Sequence, residues 1–368
     1  MQAIIQPRYG SPEVLELQKV PNPQPAADEA LVRVRASSVN AADVETLGGM
    51  LFVRMASPLR PARRIPGSDV AGVVEQVGSD VTSLAPGDEV FGDLSEFGYG
   101  AFAELVAAKA SAFWPKPASL TFEEAAAVPS AAFVAIKGIR DLKDLGPGSA
   151  VLINGAGGGM GTYAVQMAVA RGATVAGVDS AEKLDLIHSL GAERVIDYRR
   201  EDYAERPERY DLILDVFARR SIRISRRALK PDGAYAAVGA SSARIVQVAL
   251  LGQLLSASSD QHLGLLIGWP HTERDVRDVT GPVCTLVGNE FEVIEAIQAA
   301  IEIAAADPDQ AVAFDRAAPF VRRLELDLKL TALFVAQPEL GHAALVRGQL
   351  PLLEFLFLDV RIVRTAKD

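Results

Sequence analysis

Glycines recur at three-residue intervals in one short stretch of the chain, at Gly155, Gly158 and Gly161. Glycine lets a backbone turn sharply, lets a phosphate approach the main chain, and lets the following helix pack closely against the preceding strand. A helix that begins near Met160 would point its free N–H groups at such a phosphate. The chemistry that this spacing indicates is the binding of a pyrophosphate, as in a dinucleotide.

The elements around these glycines are those that such a site needs. Val151–Ile153 predicts a short buried strand before the turn, and an amphipathic helix and a second apolar strand follow it. Asp179 ends that second strand, where an acid usually accepts hydrogen bonds from an adenosine ribose. The residues themselves therefore predict a dinucleotide site that is formed by Gly155, Gly158, Gly159, Met160, Gly161 and Asp179.

The charge of Asp179 also predicts which nicotinamide cofactor the site prefers. A 2′-phosphate carries nearly two negative charges, and at roughly 5 Å the repulsion is about 2 kcal/mol in water and about 7 kcal/mol at an effective dielectric constant near 20. An exposed ion pair with Lys183 offsets at most about 1 kcal/mol. We therefore expect NAD(P)H with a preference for NADH. Alternatively, or at the same time, Asp179 caps the helix predicted over Ala181–Leu190.

Two kinds of pattern divide the chain into domains. Strand and helix patterns alternate from residue 147 to residue 240, which predicts a parallel, doubly wound sheet with its ligand at the carboxyl ends of the strands. Residues 1–120 instead contain short β-branched runs separated by Pro, Gly and Asp turns, which is typical of a barrel-like β domain. A helix over residues 121–140, capped by Thr121 and broken or kinked at Pro129, is expected to connect the two.

The last third of the chain is less regular. His262–Trp269 predicts an apolar edge strand, and because such an edge needs to be covered, we expect a homodimer. Glu290–Ala306 predicts a helix, whereas Leu324–Val335 and Leu350–Val363 fit either a strand or a helix.

Composition excludes several classes of partner and site. The 368 residues suffice for two domains, and a net charge of −10 gives no global electrostatic reason to bind nucleic acid or an anionic membrane. The five arginines between Arg219 and Arg227 are interpreted as the solvated face of one helix. The single cysteine, Cys284, excludes an intramolecular disulfide and any zinc site built on two thiolates. Because no signal-peptide pattern and no bilayer-spanning apolar stretch is present, we expect a cytoplasmic protein.

Several blocks of sequence, in the same order, resemble the medium-chain dehydrogenase/reductase superfamily, and most closely its zinc-independent quinone oxidoreductase branch. The blocks are Ser38–Asp43, Pro66–Val74, Val77–Ser79, Pro86–Phe91, Phe122–Pro129, Gly155–Gly161, Leu190–Ala192, Val195–Tyr198 and Leu229–Gly233. The resemblance implies an α/β protein: a GroES-like β-barrel catalytic domain in residues 1–125 and a Rossmann NAD(P)-binding domain with a doubly wound parallel sheet in residues 126–263. Residues 264–368 would form a divergent C-terminal part, an edge strand followed by a return to the catalytic domain.

The resemblance implies hydride transfer from a nicotinamide to a quinone or an α,β-unsaturated carbonyl, a small-molecule electrophile, in the cleft between the domains. No metal is expected, because zinc-dependent relatives carry Gly-His-Glu where this chain has Gly67-Ser68-Asp69, and residues 1–121 contain neither Cys nor His. Asn40 is the matched family residue that lines the site, and its amide is the candidate donor to the oxyanion. Capping a helix or holding a loop is an equally good interpretation of Asn40.

Some positions depart from the family at the nicotinamide end. Glu45 stands where some relatives have a tyrosine proton donor, and it is either an acid or a solvated surface residue. Val134 replaces a threonine that often faces the nicotinamide, and Val216-Phe217-Ala218 replaces a frequent Asn-Val-Gly loop. A dedicated reductase of a biosynthetic intermediate and a non-catalytic nucleotide-binding protein are therefore alternatives.

The resemblance also adds cofactor contacts. In many quinone oxidoreductases the positions of Ser180, Lys183 and Tyr198 contribute to a 2′-phosphate site. These residues therefore favour NADPH and oppose the preference for NADH that is predicted from Asp179. Val238 and Gly239, at the end of a later strand, complete the predicted contacts.

Overall fold

The computed structural model describes residues 1–266 and 270–280. Its first part is built on seven strands: β1 (Gln2–Ile5), β2 (Glu16–Lys19), β3 (Glu29–Ala36), β4 (Asp69–Val77), β5 (Glu89–Asp93), β6 (Leu105–Lys109) and β7 (Phe113–Pro115). β1 and β2 form an antiparallel pair, and the others form an antiparallel sheet in the order β6-β3-β4-β5-β7. Val32, Val70 and Val90, on three neighbouring strands, are completely buried. This arrangement confirms the predicted β-rich catalytic domain.

Four helices accompany these strands: α1 (Ala41–Gly48), α2 (Leu51–Ala56), α3 (Phe122–Ala126) and α4 (Pro129–Asp141). The helix predicted over residues 121–140 is thus divided in two, as Pro129 indicated, and the proline lies in the first turn of α4, where its missing N–H is harmless. Thr121 caps α3, since its hydroxyl accepts from the Glu124 N–H at 3.2 Å while the Glu124 carboxylate accepts from the Thr121 N–H at 2.7 Å.

The second part alternates strands and helices: β8 (Ala150–Asn154), α5 (Gly159–Ala170), β9 (Thr174–Asp179), α6 (Leu184–Ser189), β10 (Arg194–Asp197), β11 (Tyr210–Phe217), α7 (Ile222–Ser225), β12 (Leu229–Gly239), α8 (Ser242–Ala257), β13 (His262–Leu265) and α9 (Glu273–Thr280). Its six strands are all parallel, in the order β10-β9-β8-β11-β12-β13. Numbered from β8, that is the order 3-2-1-4-5-6 of a Rossmann sheet, whose ligand crevice lies where the order reverses, between β8 and β11. The predicted fold class is confirmed.

The structure changes two details of the prediction. The arginine-rich stretch is not one helix, because α7 ends at Ser225 and a tight 3₁₀ turn, Arg226–Ala228, leads directly into β12. Of the expected edge strand His262–Trp269, β13 covers the first four residues and pairs with β12 alone among the described strands.

Some predictions fall on residues that the structure does not describe. Residues 267–269 and 281–368 lie outside the described ranges, and with them Cys284 and the elements expected at Glu290–Ala306, Leu324–Val335 and Leu350–Val363. Among the helices of residues 1–266 and 270–280, none has the length and apolar character needed to cross a bilayer.

Candidate active site

The glycine turn forms a narrow cradle between β8 and α5. Gly155 adopts a φ of +85°, and its N–H donates to the Val178 carbonyl at 2.8 Å. A Cβ on Gly161 would lie 2.1 Å from the Gly155 carbonyl oxygen, so only glycine fits where the helix meets the strand. The first turn of α5, which includes Gly159 and Met160, offers N–H groups without helical partners. The cradle therefore fits a pyrophosphate.

The side chain of Asp179 hydrogen-bonds to the backbone of this glycine turn. The side chain is buried, its Oδ2 accepts from the Gly157 N–H at 2.9 Å, and its Oδ1 accepts from the Ser180 N–H at 2.8 Å. The Lys183 ammonium lies 3.7 Å from Oδ1, and its side chain is 9% exposed. Asp179 is not the N-cap of the elements that follow, because the 3₁₀ turn Ala181–Lys183 has Ser180 as its N-cap and α6 has Lys183. The carboxylate is thus a clamp on the glycine turn whose charge is already partnered.

The remaining cofactor candidates gather at the same edge of the sheet. The Tyr198 N–H donates to the Asp179 carbonyl at 3.1 Å, which brings Tyr198 beside Ser180 and Lys183. Val238 and Gly239 end β12, next to β11 in the sheet.

Sequence reasoning missed a polar network at the point where the strand order reverses. The completely buried Asp215 accepts from the Asn154 amide at 2.7 Å and from the Tyr235 hydroxyl at 2.9 Å. Burial raises the pKa of Asp215, while those two donors oppose the shift. A single acid inside the apolar run of β11 was the available signal, because a buried carboxylate requires partners. Phe217, two residues on, is 40% exposed at the end of the strand.

On the catalytic domain, Asp69 accepts hydrogen bonds from three residues on two segments. Its Oδ2 accepts from the Asn40 amide at 3.1 Å and from the Ser38 hydroxyl at 3.0 Å. Its Oδ1 accepts from the Ser130 hydroxyl at 2.5 Å and from the Ser130 N–H at 3.2 Å. The carboxylate is completely buried, and burial, together with nearby Asp93, raises its pKa well above the usual range.

Asn40 therefore has a structural task. Its amide donates to Asp69 and, at 3.2 Å, to the Ser38 hydroxyl, so both N–H groups are engaged. Its backbone N–H donates to Asp43 Oδ2 at 2.8 Å, which closes the start of α1. The geometry matches the interpretation of Asn40 as a residue that caps a helix and holds a loop, and its donation to an oxyanion stays a prediction.

Two further acids, Asp43 and Asp93, and one histidine, His271, lie close to Asp69 and the segment Ser38–Asn40. Burial raises the pKa of Asp43 to about 7. Burial also acts to raise the pKa of Asp93, but hydrogen bonds from His271 and Ser95 hold it below its usual value. His271 follows the parallel sheet in the sequence, and its ring also packs on Phe133, with centroids 4.8 Å apart.

A tyrosine near α1 has an unusual backbone. Tyr99 has a φ of +61°, the one positive value among the described non-glycine residues, and it lies between Gly98 and Gly100. Burial, followed by the fields of Asp43 and Asp93, raises its pKa, so the phenol is protonated at neutral pH. Glu45, the neighbour of Thr46, is exposed.

Comparison with known proteins places this geometry in a family. The model described as alcohol dehydrogenase GroES-like domain matches residues 26–118, and the model described as zinc-binding dehydrogenase matches residues 159–276. A quinone oxidoreductase from Pongo abelii is 32% identical over 65% of this chain and 73% of its own length. The chain belongs to the medium-chain dehydrogenase/reductase superfamily, in its quinone oxidoreductase-like branch. The resemblance drawn from the sequence blocks is confirmed.

Two other comparisons support this membership. An Arabidopsis thaliana protein named NADPH-dependent alkenal/one oxidoreductase, chloroplastic, is 36% identical over 59% of this chain, and the match spans only 57% of its length. The solved quinone oxidoreductase of Coxiella burnetii superposes with a TM-score of 0.70 and 26% identity, and the match covers 83% of this chain and 96% of that one. The chain thus spans little more than half the length of its plant relative.

The name of the second family model implies zinc, but the residues of this chain at the corresponding positions are poor zinc ligands. Where zinc-dependent members carry the histidine of Gly-His-Glu, this chain has Ser68, whose hydroxyl lies 3.3 Å from that of Ser130. Among these groups only the Asp69 carboxylate is of a kind that zinc prefers, and it already accepts from the Ser38 and Ser130 hydroxyls and the Asn40 amide. Within residues 1–266 and 270–280 no group of three or more His, Cys, Asp or Glu side chains is arranged to hold a metal ion.

Proposed function

We propose that this protein is a metal-independent NAD(P)H-dependent reductase of quinones or α,β-unsaturated carbonyls. One observation carries the proposal: an intact glycine cradle, clamped by Asp179, lies where the strand order reverses between β8 and β11. The alkenal/one oxidoreductase name of the Arabidopsis relative supports the substrate class.

In the proposed reaction, residues of one domain bind the cofactor and residues of the other position the substrate. A bound reduced nicotinamide would supply the hydride. The cradle at Gly155–Gly161 holds the pyrophosphate, and the Asn154–Asp215–Tyr235 network keeps the ends of β8 and β11 rigid beside it. In the catalytic domain, Asp69 holds the segment Ser38–Asn40 by hydrogen bonds, so the residues proposed to line the substrate site are pre-organised.

NADPH is the cofactor that this geometry supports best. The NADH preference expected from Asp179 assumed a free acid, whereas both carboxylate oxygens already accept backbone N–H groups and Lys183 lies beside one of them. Lys183 and Tyr198 stand at the strand ends where a 2′-phosphate would lie. The name of the Arabidopsis relative includes NADPH, which supports this choice.

Tyr99 is the proposed proton donor. The family position for a tyrosine is Glu45 in this chain, and Tyr99, on another loop, lies close enough to Asp43 of α1 for that carboxylate to raise its pKa. Its strained left-handed backbone fits a residue that is held for function, because such strain persists only where surrounding structure enforces it.

A homodimer fits the exposed edge of the parallel sheet. β13 pairs with β12 alone among the described strands, and the Leu263 N–H on its other side donates to the Ser256 hydroxyl of α8 at 2.9 Å, so pairing with a second strand would displace this contact. Pairing of two such edges would extend the sheet across a two-fold axis. Light scattering at micromolar concentration tests this, and a monomer would contradict it.

The experiment that tests the function is direct. The protein is mixed with NADPH or NADH and a panel of 1,4-quinones and enones, and the absorbance of the reduced nicotinamide is followed. Turnover of at least one class with NADPH supports the proposal. Tight cofactor binding without turnover across the panel would instead support a non-catalytic nucleotide-binding protein.

A further inference from the structure

Four arginine side chains line one concavity in the Rossmann domain, at the opposite end of the sheet from the glycine cradle. They are Arg209, Arg223, Arg226 and Arg227. The cavity has a volume of about 760 Å³, and its remaining lining is Leu229, Pro231, Leu255 and Gln261. This volume suits a ligand of nucleotide size.

The concavity is separate from the dinucleotide site. Leu229 is the first residue of β12 and Arg209 directly precedes β11, so the arginines gather at the amino ends of the strands. The cradle lies at the carboxyl ends, and at about 3.3 Å per residue the length of β12 puts the two on the order of 30 Å apart.

The positive charge of the concavity is not neutralised by protein groups. No Asp or Glu lines it, although the whole chain carries a net charge of −10. Within the described ranges, none of the four guanidinium groups forms an ion pair with a carboxylate. The neighbouring Arg220 behaves differently, since it pairs with Asp202 and stacks on Tyr203. Arg209, Arg223 and Arg227 are exposed and Arg226 is half-buried, so the four arginines form a positive surface that faces solvent and has no carboxylate partner.

Neutral partners hold two of these arginines in place. Arg226 Nε donates to the Gln261 side-chain oxygen at 2.6 Å, and the buried Gln261 in turn donates to the Lys230 carbonyl at 2.9 Å. Arg209 Nη1 donates to the carbonyls of Arg206 and Glu208 at 2.7 and 2.8 Å. These contacts position the guanidinium groups without cancelling their charge, which is what a pre-organised anion site requires.

We propose that this concavity binds a small organic polyphosphate. Guanidinium groups recognise phosphate oxygens with two parallel hydrogen bonds, and several of them suit a chain of phosphates. Leu229, Pro231 and Leu255 provide an apolar surface for the organic part of the ligand. A nucleic acid is the less favoured source of the same phosphate chemistry, because the overall charge of −10 opposes a long polyanion.

The test uses the full chain, saturated with NADPH so that the glycine cradle is occupied. Adenosine triphosphate and inorganic tripolyphosphate are titrated separately by isothermal calorimetry, against the wild type and the double variant Arg223→Gln/Arg227→Gln. The matched control is Arg60→Gln/Arg274→Gln, which removes two positive charges from exposed residues elsewhere. Thermal melting verifies that all three proteins are folded.

We expect both probes to bind the NADPH-saturated wild type, the nucleotide more tightly, and to lose at least tenfold in affinity in the pocket variant but not in the control. The proposal is wrong if neither probe binds at millimolar concentration, if the control loses as much affinity as the pocket variant, or if NADPH abolishes binding. Binding of a DNA duplex but of neither probe would assign the surface to nucleic acid and also overturn it.

Discussion

The imidazole of His271 hydrogen-bonds to the carboxylate of Asp93, with Nε2 2.8 Å from Oδ2. Asp93 ends β5 in the catalytic domain, and His271 follows the last strand of the parallel sheet. The two side chains are 0% and 6% exposed, so the contact is made away from water. It ties the returning chain to the catalytic sheet beside the Asn40 loop.

Removing the imidazole should destabilise the protein strongly. In His271→Ala the buried Asp93 keeps the Ser95 N–H but loses the imidazole, and removing one partner of a buried charged pair costs about 3 kcal/mol or more. Urea unfolding at neutral pH measures the difference from the wild type. The exposed His262 supplies the control, and His262→Ala should change the free energy of unfolding by less than about 0.5 kcal/mol. Equal effects of the two substitutions would contradict the assignment.

Asp43 should make stability fall as the pH rises. Its pKa is raised from 3.8 to about 7 in the folded state, so between these values the folded protein binds more protons than the unfolded one. Its contribution is complete below pH 4 and is lost as the pH passes 7, an effect of up to roughly 4 kcal/mol at about 1.4 kcal/mol per pH unit. Asp43→Asn removes the titration, so its stability relative to the wild type should increase between pH 5 and pH 8. A difference that does not change with pH would contradict this origin.

The tightness of the glycine cradle predicts the effect of a single methyl group. In Gly161→Ala the new Cβ would lie 2.1 Å from a backbone oxygen, which cannot move aside without opening the turn. The dissociation constant for NADPH, measured by fluorescence quenching, should rise at least tenfold. Gly146→Ala is the control, because nothing lies within 4 Å of its Cβ, and it should bind NADPH as the wild type does.

Lys183 should determine the preference between the two cofactors. Lys183→Gln should weaken NADPH binding at least tenfold more than NADH binding, because the loss of its ion pair with Asp179 affects both cofactors whereas the loss of a cation at the 2′-phosphate affects NADPH alone. Parallel titrations with both cofactors measure this. A wild type that binds NADH tenfold more tightly than NADPH would restore the prediction made from Asp179 alone.

Tyr99 and Glu45 can be distinguished as proton donors. Tyr99→Phe removes only the hydroxyl and should lower kcat at least tenfold, with KM and the dissociation constant of the cofactor nearly unchanged. Glu45→Gln should retain full turnover, because Glu45 is exposed on α1. The opposite pattern would assign the role to Glu45.

Sequence reasoning succeeded where the signal was local. The glycine spacing, the buried strand Val151–Ile153 and the break at Pro129 each depend on neighbouring residues, and the structure has the turn, the strand and the helix division in those places. The preference for NADH was inferred from Asp179 as a free acid, and this inference depended on a contact that is not local. The carboxylate accepts a hydrogen bond from Gly157, 22 positions earlier, and no spacing rule describes that contact.

Contacts between distant segments could not be predicted. His271 and Asp93 are 178 positions apart, and nothing near His271 in the sequence indicates its partner. Arg209 joins the cluster of Arg223, Arg226 and Arg227 only because β11 and β12 are neighbours in the sheet. Such pairings follow from strand order, which local patterns do not encode.

The helix α4 is fastened at both ends. Ser130 in its first turn is bound to Asp69, and Arg140 near its last turn is paired with Asp275 and Asp278 of α9. Thirteen residues at about 1.5 Å each make a strut roughly 20 Å long. The helix therefore holds the Asp69 network and α9 at a fixed separation, because neither of its ends is left without a polar contact.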